Sequence, residues 1–260
     1  MLTLAIEISN PGSAVAPDTG QSVALGMLER RPNAATQITV LSREPVAAPS
    51  RHDDDLQPAI DRAARAASIS PRAIALVAVS IGPGGFTALR VAVAAAKMIA
   101  LASRAPQPAR CIAVPTALVA AMSFRLPSEA NPTAGPIAIA LAGKLDSAFI
   151  TVIDPSELDP NRTSPLVPPG GHVCRAGDLA TLAARGITTL LADSHLPQPL
   201  REAADRLGIA IFAPRLDAVA LLHAAALLAP IDRAQLAPLY GREPEAVTLW
   251  RERALKNPSR

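Results

Sequence analysis

The alternation of apolar and polar positions predicts three short strands at the start of the chain. Residues 2–8 form an almost continuous apolar run, which is typical of a buried strand, and Glu7 lies near its end. A second strand is predicted over 13–16 and 22–28, interrupted by a turn, and a third, half-exposed strand over 36–41. The three runs are close enough in sequence to form an antiparallel meander.

Helices and strands alternate in the next part of the chain. The predicted elements are a helix over about 56–67 that begins at the acidic triplet 53–55, an interior strand over 75–81, a helix over 87–103, a strand over 112–114 and a helix over 116–124. The order β-β-β-α-β-α-β-α requires right-handed crossovers onto parallel strands. It therefore predicts an α/β fold with a ribonuclease-H-like core, the repeated unit of actin-like kinases and ATPases.

The patterns in the second half are weaker. The predicted elements there are a strand pair over 137–141 and 149–153, then helix, strand, helix and strand near 177–184, 188–192, 200–207 and 209–212, and a last helix over 217–228. The segment 155–171 carries five prolines and predicts an exposed connection. We predict two lobes, 1–124 and a smaller 125–260, whose C-terminal segment returns to the first lobe.

The composition excludes several classes of protein. Half of the 260 residues are apolar, 54 are alanine and only 2% are aromatic, so the core consists of small aliphatic side chains. The apolar content excludes disorder, and two cysteines are too few for a disulfide scaffold. Because the chain has so few aromatic rings, we do not expect it to bind nucleic acid by repeated stacking on bases. The net charge of +3 permits nucleic acid as a partner without arguing for it.

No targeting or membrane segment is evident in the sequence. The first residues lack a basic region and a cleavage site. The best membrane candidate, 91–102, contains Lys97 and is shorter than the ~20 residues that a span needs. We therefore expect a cytoplasmic protein without a membrane partner.

A glycine-rich loop joins the strand over 75–81 to the following helix. This motif loop consists of Gly82, Pro83, Gly84, Gly85, Phe86 and Thr87, with Arg90 in the first turns of the helix. Its backbone amides and the helix N-terminus could hold a phosphate or carboxylate. Because the loop matches neither common nucleotide motif, the favoured interpretation is a strand-to-helix corner where close packing forbids side chains.

The helix over 87–103 has more apolar surface than its own sheet needs to cover. Its charged residues are Arg90, Lys97 and Arg104, seven apart, so they share one stripe, and the rest of 91–102 is apolar. Another lobe or another chain must cover the surplus. An interface with another chain and a helix sandwiched inside the monomer are equally supported by the residues.

Candidate chemistry is sparse. Glu7 and Ser9 lie where actin-like phosphotransferases carry an acidic residue and a hydroxyl, so they are a vestigial phosphate-site candidate, although backbone amides could equally satisfy the carboxylate. The four histidines lie far apart, His52 beside the acidic triplet, and the cysteines have no metal-binding spacing, so we expect no metal and no cofactor. No set of catalytic side chains can be assembled, and catalysis by this chain alone is disfavoured.

Four segments at the beginning, middle and end of the chain form a recognisable set. They are Leu4-Ala5-Ile6-Glu7-Ile8-Ser9, the motif loop with Leu89, Arg90, Ala94, Ala96, Lys97 and Ala100, the helix start at Leu56, Pro58 and Ile60, and the closing Pro238-Leu239-Tyr240-Gly241-Arg242-Glu243-Pro244-Glu245-Ala246. In these segments the chain resembles the TsaB (YeaZ) family of tRNA threonylcarbamoyladenosine biosynthesis proteins. The glycine-phenylalanine motif is the specific one.

The resemblance implies an actin-like (ribonuclease-H-like, ASKHA) two-lobed fold with a reduced second lobe and no independent catalysis. It implies an accessory subunit that binds and activates a catalytic TsaD-like paralogue, so that threonylcarbamoyladenosine is made at adenosine 37 of tRNA. A TsaE-like ATPase is a further partner that the resemblance allows, and tRNA is contacted indirectly. The predicted partner-binding residues are on the first-lobe helices: Leu56, Ile60, Ala63, Ala67, Ala88, Val91, Ala92, Ala95, Met98 and Ile99.

The chain departs from the family pattern at several positions. The family's Asp and Thr are Glu7 and Ile8 here, Ala88 replaces a glycine, and a mid-chain Asp-Ala-Arg is 142–144 here, Ala-Gly-Lys. These changes further weaken a nucleotide site. Two alternatives remain open: a free-standing actin-like phosphotransferase or metallopeptidase-like hydrolase, and a homodimer that uses the same helices.

Overall fold

The structure is a computed structural model that describes residues 1–10, 20–29, 36–47, 55–125, 135–162, 164–242, 247 and 250. The strand predicted over 13–16, the acidic residues 53–54 with His52, and the last part of the closing motif, 243–246, lie outside the described residues.

The first lobe is built on a five-stranded mixed sheet in the order β3-β2-β1-β4-β5. Its strands are β1 (Leu2–Glu7), β2 (Ser22–Glu29), β3 (Gln37–Pro45), β4 (Leu76–Gly82) and β5 (Arg110–Pro115). β1, β2 and β3 pair antiparallel as the predicted meander, and β4 and β5 add in parallel beside β1. The buried apolar runs of β1 and β4 occupy the centre, as expected for strands covered on both faces.

Two helices cover the outer face of this sheet. They are α1 (Leu56–Ala66), which packs on β2 and β3, and α2 (Phe86–Ala102), which packs mainly on β4. Their inward side chains form one apolar cluster with Leu4, Val23 and Val79 of the sheet. Asp55 precedes α1 but does not cap it: its carboxylate accepts hydrogen bonds from the Ala47 amide and from Arg62.

The second lobe repeats the strand order of the first. Its strands are β6 (Ile137–Lys144), β7 (Ser147–Ile153), β8 (Gly171–Arg175), β9 (Thr189–Ala192) and β10 (Ala210–Phe212), and its helices are α4 (Leu179–Ala184) and α5 (Gln198–Arg206). The sheet order is β10-β9-β6-β7-β8, again with an antiparallel meander and two parallel additions. The sequence did not predict β8, because only Cys174 in it is buried and the strand lacks the usual alternation.

The remaining two helices lie between the lobes. They are α3 (Thr116–Arg125) and α6 (Ala218–Ala226), which pack against each other. α6 also contacts every strand of the first sheet, and α3 contacts β6 and β7 of the second. One apolar cluster therefore includes both helices and side chains of both sheets, such as Leu28 and Ile139. The proline-rich segment contributes Leu158 and Leu166 to this cluster. The prediction that 155–171 is an exposed connection is therefore wrong for these two residues.

After α6 the chain runs along the first lobe. Ile231 exchanges two backbone hydrogen bonds with Cys111 at the edge of β5, and Leu236 is buried among the residues under α1 and α2.

The two mixed sheets with their helices confirm the predicted fold class, which is α/β and actin-like with two lobes. The lobe boundary at 124 stays a prediction.

Candidate functional site

The motif loop is a tightly packed corner. Gly82 has φ +115°, and a Cβ there would lie 2.4 Å from the Leu239 carbonyl oxygen. A Cβ on Gly84 would lie 2.1 Å from the carbonyl oxygen of Ser9. The Gly85 amide donates to that same oxygen at 2.7 Å, so it does not point to open solvent. These contacts favour the close-packing interpretation of the glycines over a phosphate cradle.

Several predicted partner-binding residues are buried in the core of the chain, so their side chains do not form an exposed surface, and their role in partner binding stays a prediction. Leu56, Ile60, Ala63 and Ala92 are at most 4% exposed, and Ala95 is 9% exposed. Their side chains face the first sheet and fill the cluster beneath the helices. Ala67, Ala88, Val91 and Ile99 are part-buried, while Met98 is 62% exposed. The apolar stripe of α1, predicted to bind a partner, is therefore the face that the helix buries on its own sheet.

Of the predicted partner-binding residues, only Met98 lies on the exposed face of α2. We call this face the docking face, and it consists of Phe86, Arg90, Ala94, Met98 and Leu101. Phe86 is 47% exposed and Leu101 61%. The positions of Arg90, Ala94, Met98 and Leu101 differ by four, four and three, so they share one side of a helix with 3.6 residues per turn. The charged Arg90 marks this side in the sequence, and that signal could have identified Ala94 and Leu101.

Two aromatic rings and one guanidinium group lie together at the N-terminal end of the docking face. The rings of Phe86 and Tyr240 are stacked with centroids 4.9 Å apart, and the Arg90 guanidinium lies 5.1 Å from the centroid of Phe86. α2 carries no carboxylate. The face is therefore apolar with a positively charged group and no negative one, which suits an apolar partner surface that bears a carboxylate.

The outer surface of α1 is different, because its charges are paired within the chain. Arg62 lies 2.7 Å from Asp55 and 3.5 Å from Glu44, and Arg65 lies 2.5 Å from Asp61. The hydrogen bond from Arg62 lowers the pKa of Asp55. This surface resembles an ordinary solvated helix face.

A buried carboxyl group marks the end of β1 between the lobes. Oε1 of Glu7 accepts hydrogen bonds from the Ser9 amide at 2.9 Å and from the Ser9 hydroxyl at 2.6 Å, while Oε2 has no partner. The Ser80 hydroxyl forms a hydrogen bond with the Thr116 hydroxyl at 2.8 Å. Burial raises the pKa of Glu7 to about 7, and the charge of Asp217 adds to the increase. Both Ser9 donors thus serve Glu7, so neither is oriented toward a phosphate.

The two lobes meet beside this carboxyl group. The Asn10 side-chain amide donates to Asp193 at 2.7 Å, and Asp193, which follows β9, is 4% exposed. A Cβ on Gly143 would lie 2.1 Å from the His195 carbonyl oxygen, so the β6–β7 turn packs closely there. The hydrogen bond from Asn10 to Asp193 thus joins the lobes three residues after Glu7.

Three further features concern the described part of the chain. It contains no group of three or more His, Cys, Asp or Glu side chains arranged to hold a metal ion. Cys111 and Cys174 are buried free thiols, and burial raises the pKa of both. Among the described helices, none combines the length and the apolar content that crossing a membrane requires.

Known proteins resemble this chain in sequence over one region and in fold over most of its length. Residues 37–152 match the family model of TsaD, tRNA N6-adenosine threonylcarbamoyltransferase. No curated protein matches the chain significantly in sequence. The solved structures that match its fold include two from Pseudomonas aeruginosa. One is an uncharacterized protein with similarity to peptidase YeaZ, with a TM-score of 0.60 and 21% identity over 93% of this chain and 99% of that chain.

A second similar structure is YeaZ from Pseudomonas aeruginosa. It has a TM-score of 0.58 and 20% identity, over 92% of this chain and 100% of that chain. At these identities the likeness establishes the fold, while the family match adds a sequence signal across the motif loop and α2.

Proposed function

We propose that this chain, a TsaB/YeaZ-type protein of the threonylcarbamoyladenosine tRNA-modification family, is a non-catalytic subunit that binds and activates a TsaD-like paralogue. In this role it supports the modification of adenosine 37, contacts tRNA indirectly and acts in the cytoplasm. A TsaE-like ATPase is a further candidate partner.

The exposed docking face is the observation that carries this proposal. Met98 and Leu101 are each more than 60% exposed on a helix whose opposite side is fully packed. Large apolar side chains that cluster on one exposed surface are typical of a protein-binding site. Ala94 at the centre of the face would allow a partner helix to approach closely.

The arrangement at Glu7 supports the absence of independent catalysis. The Ser9 amide and hydroxyl are both bonded to Glu7, and the Gly85 amide is bonded to the Ser9 carbonyl oxygen. A phosphate bound here would have to displace these hydrogen bonds, each of which contributes about 1 kcal/mol or more.

Co-purification with the TsaD-like paralogue tests the proposal. Met98→Glu and Leu101→Glu place a carboxylate in the docking face, and each should weaken binding at least tenfold, or about 1.4 kcal/mol. Val167→Glu is the matched control, because Val167 is an apolar residue of the second lobe that is 82% exposed. Binding that is unchanged in both α2 variants would contradict the interface. Substitution of Ala92 or Ala95 is unsuitable, since both side chains are buried.

One observation favours the alternative of a phosphotransferase or hydrolase. Glu7 is a buried carboxyl group with a pKa of about 7 between two lobes, and such groups occur at catalytic sites. Calorimetry with Mg-ATP and metal analysis of the purified chain test this alternative. Stoichiometric binding of either ATP or a metal ion would overturn the non-catalytic role.

A homodimer that uses the same docking face is the other alternative. Light scattering of the chain with and without the paralogue distinguishes this homodimer from the proposed heterodimer.

A further inference from the structure

The C-terminal part of the described chain is bonded to both lobes within one short segment. The Leu239 amide donates to the Ile81 carbonyl oxygen in the first lobe at 2.7 Å. Arg242 donates to two carbonyl oxygens of the second lobe, that of Ser147 at 2.5 Å and that of Lys144 at 3.3 Å. We call residues 238–242 the clasp.

At its first-lobe end the clasp contacts the docking face directly. Tyr240 stacks on Phe86, and Arg90 lies over the same Phe86 ring. The Leu239 carbonyl oxygen lies so close to Gly82 that a Cβ would not fit between them. The orientation of Phe86 at the start of α2 therefore depends on where the clasp lies.

At its second-lobe end the clasp is held by the turn between β6 and β7. Arg242 is half-buried, and its two Nη atoms reach carbonyl oxygens on either side of that turn. Gly241 packs on the Phe149 ring, where a Cβ would lie 3.0 Å from the ring. A planar guanidinium can bond two carbonyl groups at once, whereas a lysine ammonium provides no such fork.

We propose that the clasp holds the docking face in its binding arrangement, and that Arg242 is the positioning residue that anchors it to the second lobe. Loss of Arg242 frees the clasp at one end, so that Tyr240 leaves Phe86 and the start of α2 loosens. The link to partner binding rests on the proposed function. The coupling between the lobes is a property of the isolated chain.

Hydrogen exchange on the full-length chain tests the coupling without a partner. Arg242→Ala should speed amide exchange by about tenfold in 236–242 and also in 81–90, which Arg242 does not touch, with no change in β9. Arg206→Ala, which removes an exposed arginine of the second lobe, is the matched control and should leave both segments unchanged. Arg242→Lys should behave like Arg242→Ala. Unchanged exchange over 81–90 in Arg242→Ala would overturn the proposal.

Binding to the TsaD-like paralogue tests the functional part. Arg242→Ala and Tyr240→Ala should each weaken binding about five- to tenfold, whereas Tyr240→Phe retains the ring and should bind like the wild type. Wild-type affinity in Arg242→Ala would overturn the link to binding. If the wild-type chain binds no paralogue while Arg242→Ala still speeds exchange over 81–90, the proposed function is overturned and the coupling between the lobes is supported.

Discussion

Three helices of this molecule, α2, α3 and α6, are apolar around most of their circumference, but only two of them are covered on all sides. α3 and α6 lie between the two sheets, and residues 116–123 of α3 are all buried. α2 has a sheet on one side only, so Met98 and Leu101 remain exposed. A helix that is hydrophobic all round is expected to be buried. Of these three helices, α2 is therefore the one whose apolar surface is left partly exposed by the rest of the chain.

The largest effect is expected from a charge placed in α3. Ala120→Asp buries an unpaired carboxylate between the lobes, and should lower the free energy of unfolding by about 4 kcal/mol or prevent folding. Ala94→Asp, the same change on the exposed face of α2, should alter it by less than about 0.5 kcal/mol. Urea denaturation measures both. Equal destabilisation by the two variants would mean that the outer face of α2 is not exposed.

The two sides of α2 should differ almost as clearly. Leu89 is fully buried, so Leu89→Ala leaves a cavity and should cost about 3 kcal/mol of stability. Leu101→Ala on the exposed side should cost less than about 0.5 kcal/mol. Thermal or urea unfolding of the pair provides the measurement, and a costly Leu101→Ala would indicate that the monomer already covers this face.

Measuring stability against pH tests the buried region around Glu7. Burial there is deep enough to shift the pKa of the Glu7 carboxyl group, whereas the docking face is exposed. The pKa of Glu7 is raised to about 7 in the folded chain, from an ordinary value near 4.5, mainly by burial. The folded state therefore holds the proton more tightly, and stability should fall by about 3 kcal/mol as pH rises from 4.5 through 7.

Glu7→Gln cannot ionise, so this part of the pH dependence should vanish and the variant should be the more stable chain at pH 8. Urea midpoints between pH 4.5 and 8 measure the difference. An unchanged pH profile in Glu7→Gln would show that another group is responsible.

The smallest effect is expected on α1, whose exposed charges are already paired. Arg62→Ala removes the contacts to Asp55 and Glu44, and the change in unfolding midpoint should be slight and smaller still at 1 M salt. Partner affinity should not change unless the partner also contacts α1. A loss of affinity as large as that of Met98→Glu would extend the docking face onto α1.

Much of the first lobe could be predicted because its patterns are local. The apolar runs of β1 and β4, the helical spacing after residue 56 and the glycine corner at 82–85 each depend on neighbouring residues. β8 escaped prediction because it buries a single side chain. The clasp escaped because the stacking of Tyr240 on Phe86 joins residues that are far apart in the chain.

The sequence by itself determined the order of the elements in the first lobe, the fold class and the surplus of apolar surface on α2, since hydrophobic periodicity and composition are properties of the chain. Only the tertiary structure decided which side of each helix is covered. Leu56, Ile60, Ala63 and Ala92 face the sheet, while Met98 and Leu101 face outward, because burial depends on where the sheets and the other helices lie. The same holds for Glu7, whose pKa is raised by burial and by the charge of Asp217, a residue far away in the chain that only the fold brings near it.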